Sequence, residues 1–585
     1  MRNSMKLISG KKAFLFFMFS GIAYSSLAET VPSVNDAQRN IDRLERERLQ
    51  QQITTEKQRE REIQRENRKQ DANDEALKNE SRYKFDIKEI LIENDTKFEF
   101  SAQRNAIIER YLNTNMGEQE VLALVKELTD FYIGQGYVTT QVTIAPGSLR
   151  SGKLVLRILW GKIAGFLHNG EGAGWREKTR MFSAMPFAKE SLLSMSDIDQ
   201  GLDNLLRVSQ SDKLVIEASE KSGYSLINHT GENVFPLSVY LGMNNSGYRD
   251  SGWYQYSLNT SLKNVLGLND TFTYYYSYND LYADTDSQSA KSFSFNVPLG
   301  YWLFDSSYYK SAYKKIIGGV YGGYVSDGQS ERFSLKATRT LFRNASGKYS
   351  GWLKVEKKNN ENNIMGFPIA VSSKKYSSLS TGLTWVGTLA GGWGYADLNM
   401  TAGMPWFGAA WKGDSDLTGF DLNYKKFNGT LNWGTRLAAN DSGRVALDYE
   451  LSSGWQFTND RLVSDAKYSL GDEYSVRGYK EQIVSAERAI WVSNTLKLPV
   501  QINYARIYAV SPFTGFDIGM ARKNCVSTVS YCERDYMSGA VAGVKLSGKD
   551  FSGSVAAGWP VKKPASLSNS EVDNYAMYMN LNVGF

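Results

Sequence analysis

Ser475-Val476-Arg477-Gly478-Tyr479 lies in a loop-like segment, residues 458–486, late in a chain dominated by alternating, aromatic-rich strands. Farther along comes Gly515-Phe516-Asp517-Ile518-Gly519. Read with period two across residues 508–521, Tyr508, Val510, Phe516, Ile518 and Met520 share one parity, while Ser511, Phe513, Gly515, Asp517 and Gly519 share the other. The first face suits lipid. The second is small or polar and carries a lone acid, as the inner wall of a membrane barrel does. The competing reading is a turn arginine and an unpaired surface aspartate.

Composition supports the barrel reading. The 585 residues include 35 tyrosines and 51 glycines but only 11 prolines, which fits strands with interfacial aromatic girdles. No run of roughly 18 apolar residues follows the N-terminus, so helical membrane spans are excluded. Arg2, Lys6, Lys11 and Lys12 precede a short apolar core (13–23), and Ser26-Leu27-Ala28 is a small-x-small cleavage site. Residues 1–28 therefore read as a signal peptide. They carry four basic groups and no acid, so the net charge of +6 becomes +2 without them. Near-neutrality argues against a nucleic-acid partner, which needs a concentrated basic face.

Cys525 and Cys532 are the only cysteines. In an exported protein their spacing suggests a disulfide clamping one loop, stabilising by roughly 2–3 kcal/mol on chain-entropy grounds. Two free surface thiols are the alternative. The only histidines, His168 and His229, lie far from that pair in sequence, so no metal site is expected.

In chain order, Ser33 is a candidate helix cap with Asp36 three residues on, and Val34, Ala37, Ile41 and Leu44 form a narrow apolar seam among many charges. Such a helix has little to bury in a core. A solvated linker helix or coiled-coil stub is one reading of it. Residues 50–80 stay charged and Gln-rich, an extended or partly helical linker. From residue 83 a β-α-α-β-β order appears: strand 85–92, helices 103–112 and 118–135, strands 138–144 and 153–159. It recurs with strand 162–167, helices 175–182 and 197–208, and strand 213–218. Residues 147–153 have the spacing of a phosphate-binding loop, but Leu154 replaces the needed hydroxyl and no helix follows, so that motif is rejected. From residue 231, strands such as Tyr254, Tyr256, Leu258 and Leu262 against Gln255, Ser257, Asn259 and Ser261 alternate to the C-terminus, about sixteen in all. The last carries Tyr575, Met577, Met579, Leu581, Val583 and Phe585 on one face.

Val476-Arg477-Gly478-Tyr479 followed by Gly515-Phe516-Asp517-Ile518-Gly519 resembles the signature of the Omp85 superfamily, specifically its two-partner secretion transporters (TpsB proteins). The run 257–270, SLNTSLKNVLGLND, is similar to that family's opening hairpin, and Leu202-Asp203-Asn204-Leu205-Leu206-Arg207 resembles a helix of its second POTRA domain. The resemblance covers residues 29–585. It implies a mainly β fold: a plug helix at 29–53, a periplasmic linker at 54–82, POTRA domains at 83–160 and 161–230, and a 16-stranded transmembrane barrel at 231–585. It implies that Arg477 at the loop tip meets Asp517 on the inner wall, with Val476, Gly478, Tyr479, Gly515 and Gly519 completing a loop-to-wall lock. A terminal Phe585 resembles the outer-membrane barrel-assembly signal.

The implied protein is a pore in a Gram-negative outer membrane with its N-terminal domains in the periplasm. It captures an unfolded TpsA-type exoprotein (a haemolysin, adhesin or contact-dependent inhibition toxin) and passes it to the cell surface without ATP or cofactor. Outer-membrane lipid and the barrel-assembly machinery are its other expected partners. An outer-membrane enzyme would need a nucleophile–base pair, and both histidines fall outside the barrel, so no catalytic residues are expected. A barrel-assembly factor of the same superfamily is the alternative. Two POTRA-like repeats and a plug-like helix favour secretion over it.

Overall fold

The computed structural model describes residues 36–68, 84–145, 152–232, 235–249, 252–279, 286–319, 322–344, 346–481, 483–504, 506–524, 534–567 and 572–585. The expected signal peptide, the Ser33 cap, most of the 147–153 stretch and the Cys525 and Cys532 pair lie outside the described residues.

Helix α1 runs from Asp36 to Arg68 as one element, past the end at 53 that the family resemblance implies and into the stretch read as extended or partly helical. The expected linker is therefore helical over its first half. Its charges signal solvent only if the surroundings are apolar, and here they are polar.

Residues 84–159 form a first α/β domain. Helices α2 (Ala102–Tyr111) and α3 (Glu118–Gly134) cover a three-stranded sheet ordered Glu89–Glu93, Lys153–Leu159, Gln141–Ile144. Val121, Leu124, Leu128 and Tyr132 recur at helical spacing and bury against Leu154, Leu156 and Ile158. The predicted strand 85–92 is broken at Lys88, whose N–H donates to Gly152 O at 2.9 Å, and Lys84–Ile87 pairs instead with an unexpected strand, Thr114–Gly117.

The second α/β domain has a sheet ordered Glu171–Gly172, Lys162–His168, Tyr224–Thr230, Lys213–Ala218, with helices α4 (Trp175–Ala184) and α5 (Met195–Leu205). Tyr224–Thr230, which the sequence pattern does not mark, lies inside the sheet and runs parallel to Lys162–His168. Its buried residues include Asn228 and His229, so it lacks a clean apolar alternation.

From Leu237 the strands close into one antiparallel ring of sixteen, two of them interrupted. Phe367–Pro368 and Lys375–Leu389 both pair with Gly347–Ile364. Arg488–Lys497 and Val500–Tyr504 both pair with Ile507–Arg522. Pro499 separates that second pair and cannot donate to the ladder. The ring closes where Tyr240–Asn244 pairs with Asn580–Gly584, and the Phe585 N–H adds a bond to Val239 O at 2.9 Å. Closure leaves no unpaired edge in hydrocarbon. Tyr575, Met577, Leu581 and Phe585 face outward, as do Phe272, Phe293, Phe333 and Phe516.

The second domain docks on the end of the barrel that carries the short turns. The Arg180 Nε donates to Asn269 Oδ1 (2.9 Å), and the Asn269 amide returns a bond to Arg180 O (2.8 Å). The Asn204 amide donates to Gly300 O at 2.8 Å. At the centre Asp203 of α5 meets Arg59 of α1 (3.1 Å) and Arg343 and Lys348 of two barrel strands (2.7 and 2.9 Å). Burial alone would raise the Asp203 carboxyl; Lys348, Arg59, Arg343 and Arg207 outweigh it and hold it well below the usual carboxylate range. Because the folded pKa is depressed, this contribution is present above the unfolded value of about 3.9 and is lost as pH falls through the folded one. Protease accessibility of the seam is thus expected to stay constant from neutrality to about pH 4. Asp203→Asn removes the carboxylate that Arg59, Arg343 and Lys348 share and leaves them only Glu56 and Glu60 of α1, so it should destabilise the seam by about 3 kcal/mol, the lower end for a broken buried pair. Limited proteolysis after residue 230 measures both, and loosening of the wild-type seam well above pH 4 would refute the account.

Candidate functional site

The segment between strands Ala446–Phe457 and Arg488–Lys497 folds back into the barrel as a small hairpin, Tyr468–Leu470 against Val484–Ala486. Leu470, Val476, Tyr479 and Val484 bury against wall residues Trp491, Ala521 and Met537. Each such side chain is worth about 1.5–3 kcal/mol relative to exposure. A tight turn shapes the tip: the Ser475 hydroxyl donates to Asp472 Oδ1 (2.7 Å) and accepts from the Gly471 N–H (3.0 Å).

Arg477 makes three bonds to Asp517. Its backbone N–H and Nε donate to Oδ2 at 2.9 and 2.7 Å, and one Nη donates to Oδ1 at 2.6 Å. The same Nη reaches Ser493 Oγ (2.8 Å) and Thr495 Oγ1 (3.0 Å) on the neighbouring strand. Asp517 is fully buried. Only a planar guanidinium supplies parallel donors in this arrangement; an ammonium does not.

The wall is cut away where the tip sits. A β-carbon at Gly515 would lie 2.5 Å from the Arg477 guanidinium, one at Gly519 2.7 Å from Val476 Cγ2, and one at Gly539 1.7 Å from Arg477 O. Gly478 has φ +110° and lies against the Trp559–Pro560 backbone, where a side chain would clash at 2.7 Å. Tyr578 OH accepts from the Gly478 N–H (3.0 Å) and donates to Tyr479 O (2.6 Å), while Tyr479 OH donates to Lys562 O at 2.6 Å. The seat therefore spans five adjacent strands, from Arg488–Lys497 to Ala576–Gly584. It unites every expected tip and wall residue. Ser493, Thr495, Gly539 and Tyr578 join them without having been expected. Tyr578 does carry a signal: it is the lone aromatic on the inward parity of a strand whose outward row is evident.

Helix α1 fills the rest of the lumen. Ile41 and Leu44 touch Ala290 and Tyr309, and Ile53 touches Val386 and Tyr395. Most of the buried contact is polar. Arg332 of the wall pairs with Asp42 (2.7 Å) and Glu45 (2.5 Å), Arg48 donates to Tyr309 OH (2.7 Å), and Lys315 pairs with Asp36. Arg46 pairs with Asp472 of the inward loop, so helix and loop tip are linked. Near the short-turn end, Glu56 meets Lys348 at 2.6 Å and Arg207 at 3.5 Å, and Ile63 packs on Leu202 and Leu206 of the second domain. Both histidines sit in the second α/β domain, away from this lumen.

A family model described as "Haemolysin secretion/activation protein ShlB/FhaC/HecB" matches residues 223–546, preceded by matches to "POTRA domain, ShlB-type" at 85–161 and "POTRA domain" at 162–215. The chain is 26% identical over 575 residues to the outer membrane transporter CdiB of Dickeya dadantii, covering 97% of this chain and 98% of the relative. It is 26% identical over 504 residues to CdiB of Escherichia coli O6:K15:H31, covering 86% and 82%. The solved structure of CdiB from Escherichia coli superposes with a TM-score of 0.83 at 23% identity, covering 96% of this chain and 100% of the other.

The seat makes a quantitative expectation. Arg477→Ala or Asp517→Ala should each cost about 3 kcal/mol, near the lower end for a broken buried pair, because the arginine keeps some access to water. Arg477→Lys should recover only part of the loss. Gly539→Ala changes no charge, yet should loosen the loop as Arg477→Ala does. Protease accessibility of residues 458–486 in the folded barrel reads all four; simple additivity in the Arg477/Asp517 double-mutant cycle would show the pair uncoupled.

Proposed function

The chain belongs to the ShlB/FhaC/HecB family of haemolysin secretion/activation proteins, and on that footing we propose that it exports one large exoprotein across the outer membrane by two-partner secretion. The barrel lies in the outer membrane and the POTRA domains in the periplasm. The observation that carries the proposal is a lumen occupied by a helix with few apolar contacts to the wall. Helix α1 is held mainly by ion pairs and hydrogen bonds, each of which water or a passing polar backbone can replace. An assembly factor that never conducts a chain through its lumen has no use for such a plug.

The partner is a TpsA-type exoprotein. Relatives named as CdiB transporters favour a contact-dependent inhibition toxin, while the family description keeps haemolysins in view. Capture falls to the POTRA domains. Gln141–Ile144 and Lys213–Ala218 are edge strands of their sheets, and Ile144 and Val215 are exposed on them. An unfolded segment can add there as an extra strand, main-chain bonds giving affinity and shallow apolar contacts giving preference. The chemistry of the lumen is passage and positioning, with folding of the exoprotein outside as the source of direction.

Two measurements test this. Deleting residues 36–68 should leave a barrel that inserts, with higher and steadier conductance in planar bilayers; unchanged conductance would show that α1 does not occlude the pore. Deleting residues 83–160 or 161–230 should abolish surface delivery of the co-expressed exoprotein while the barrel still assembles. Normal delivery in either deletion would remove that domain from the capture step.

A further inference from the structure

His168 and His229 are the only two histidines in the chain, and parallel pairing of Lys162–His168 with Tyr224–Thr230 places them directly opposite each other. Their Nδ1 atoms lie 3.1 Å apart. Glu177, in the first turn of α4, enters the same space, its Oε2 3.8 Å from His168 Nδ1 and 3.9 Å from His229 Nδ1. That oxygen is buried and accepts no hydrogen bond among the described residues. His229 is wholly buried.

A triangle with these three sides has a point about 2.1 Å from every corner, which is the bond length of zinc to imidazole nitrogen and carboxylate oxygen. The surroundings are arranged for a metal-bound ring. His229 Nε2 faces Asp212 Oδ1 at 3.3 Å, and Asp212 is itself fully buried and paired with Arg180. The His229 Nε2 and Asp212 Oδ1 atoms are near each other without a hydrogen bond between them, yet the negative charge of a carboxylate behind the ring favours the proton on Nε2, which leaves the Nδ1 lone pair for the metal. Behind His168 lies the Asn169 side-chain amide, its nitrogen 3.3 Å from Nε2; with the amide turned to present its oxygen, it accepts the Nε2 proton and frees Nδ1 for the metal.

We propose that His168, Glu177 and His229 form a transition-metal site of the zinc type in the second POTRA domain, with water in the fourth position. Two imidazoles and one carboxylate select zinc over magnesium or calcium, which prefer all-oxygen shells. His168 and Glu177 are each about one-fifth exposed, at 23% and 22%, which leaves an entry path. The metal staples α4 to the sheet. Arg180, one turn along α4, bonds the barrel turn at Asn269, so the staple stiffens the place where the domain meets the membrane. A bare hydrogen bond between the two rings accounts for their separation but leaves the buried Glu177 oxygen without a partner; the metal accounts for all three groups.

The test uses the full-length protein, purified in detergent without a histidine tag and stripped with a chelator. Titration with Zn²⁺ should show one ion bound per chain, and Co²⁺ should give the visible absorption bands of a tetrahedral site. His168→Ala and Glu177→Gln replace partly exposed groups, and heat-modifiability of the barrel checks their folding. Each should weaken Zn²⁺ binding by at least about tenfold and abolish the Zn²⁺-dependent rise in melting temperature. Failure of the wild type to bind Zn²⁺, or unaltered binding in both folded variants, overturns the site and leaves a hydrogen-bonded histidine pair.

Discussion

A bilayer interior offers no partner for a backbone N–H or carbonyl, so a strand protein can cross it only as a closed ring. Here the ring needs sixteen strands, and a ring that wide cannot be filled by the inward side chains of its own wall. The lumen is wet, its wall is polar, and whatever occupies it must be held by groups that tolerate water. This constraint decides the character of everything inside the barrel. It explains why Arg332, Lys315 and Lys348 point inward, and why a helix as charged as α1 can be a buried element.

The two occupants answer the constraint differently. The inward loop is anchored by shape and by apolar contact as well as charge: Val476 and Tyr479 are buried, the glycines remove the wall beneath Arg477, and five strands contribute to the seat. Displacing it means opening an apolar cluster and leaving Asp517 buried without its cation. The helix has few apolar anchors spread along its length, Ile41, Leu44, Ile53 and Ile63, with ion pairs between them. As the lumen wets around a departing helix, water can take over these ion-pair partners, whereas nothing replaces the apolar contacts beneath the loop. The loop is thus the more firmly held part of the interior.

The lone acid on the inward parity of 508–521 makes Asp517 legible from sequence alone, because period-two alternation assigns a face to each residue without knowledge of its neighbours. Gly539 is not legible in the same way. It matters only because the register places it beside Asp517, and register between strands is absent from the local pattern. Beyond residue 53 the residue pattern left an extended or partly helical stretch open, because amphipathic patterning presupposes an apolar core, and the core facing α1 is charged. Tyr224–Thr230 is hidden for a related reason: buried polar residues such as Asn228 and His229 erase the alternation that would mark a strand. His168 and His229 look remote because sequence distance says nothing about parallel pairing.

Under the proposed export function α1 has to leave the lumen, and the charge network at the short-turn end is compatible with its leaving without undoing the domain seam. Asp203 is shared among Arg59, Arg343 and Lys348, and only Arg59 belongs to α1. When α1 withdraws, Asp203 keeps two cations from the barrel wall, so the carboxylate stays paired and α5 stays docked. Lys348 loses Glu56 but retains Asp203, and Arg343 loses Glu60 but retains Asp203 as well. On the opposite side of the lumen, Arg46 releases Asp472, whose side chain still accepts from the Ser475 hydroxyl and the Tyr474 N–H, so the tip of the loop keeps its shape. Asp203 and Asp472, the anions that α1 pairs with on neighbouring elements, each have a second partner that does not move. That redundancy allows one charged helix to be exchanged for a passing chain while the wall, the loop and the docked domain remain where they are.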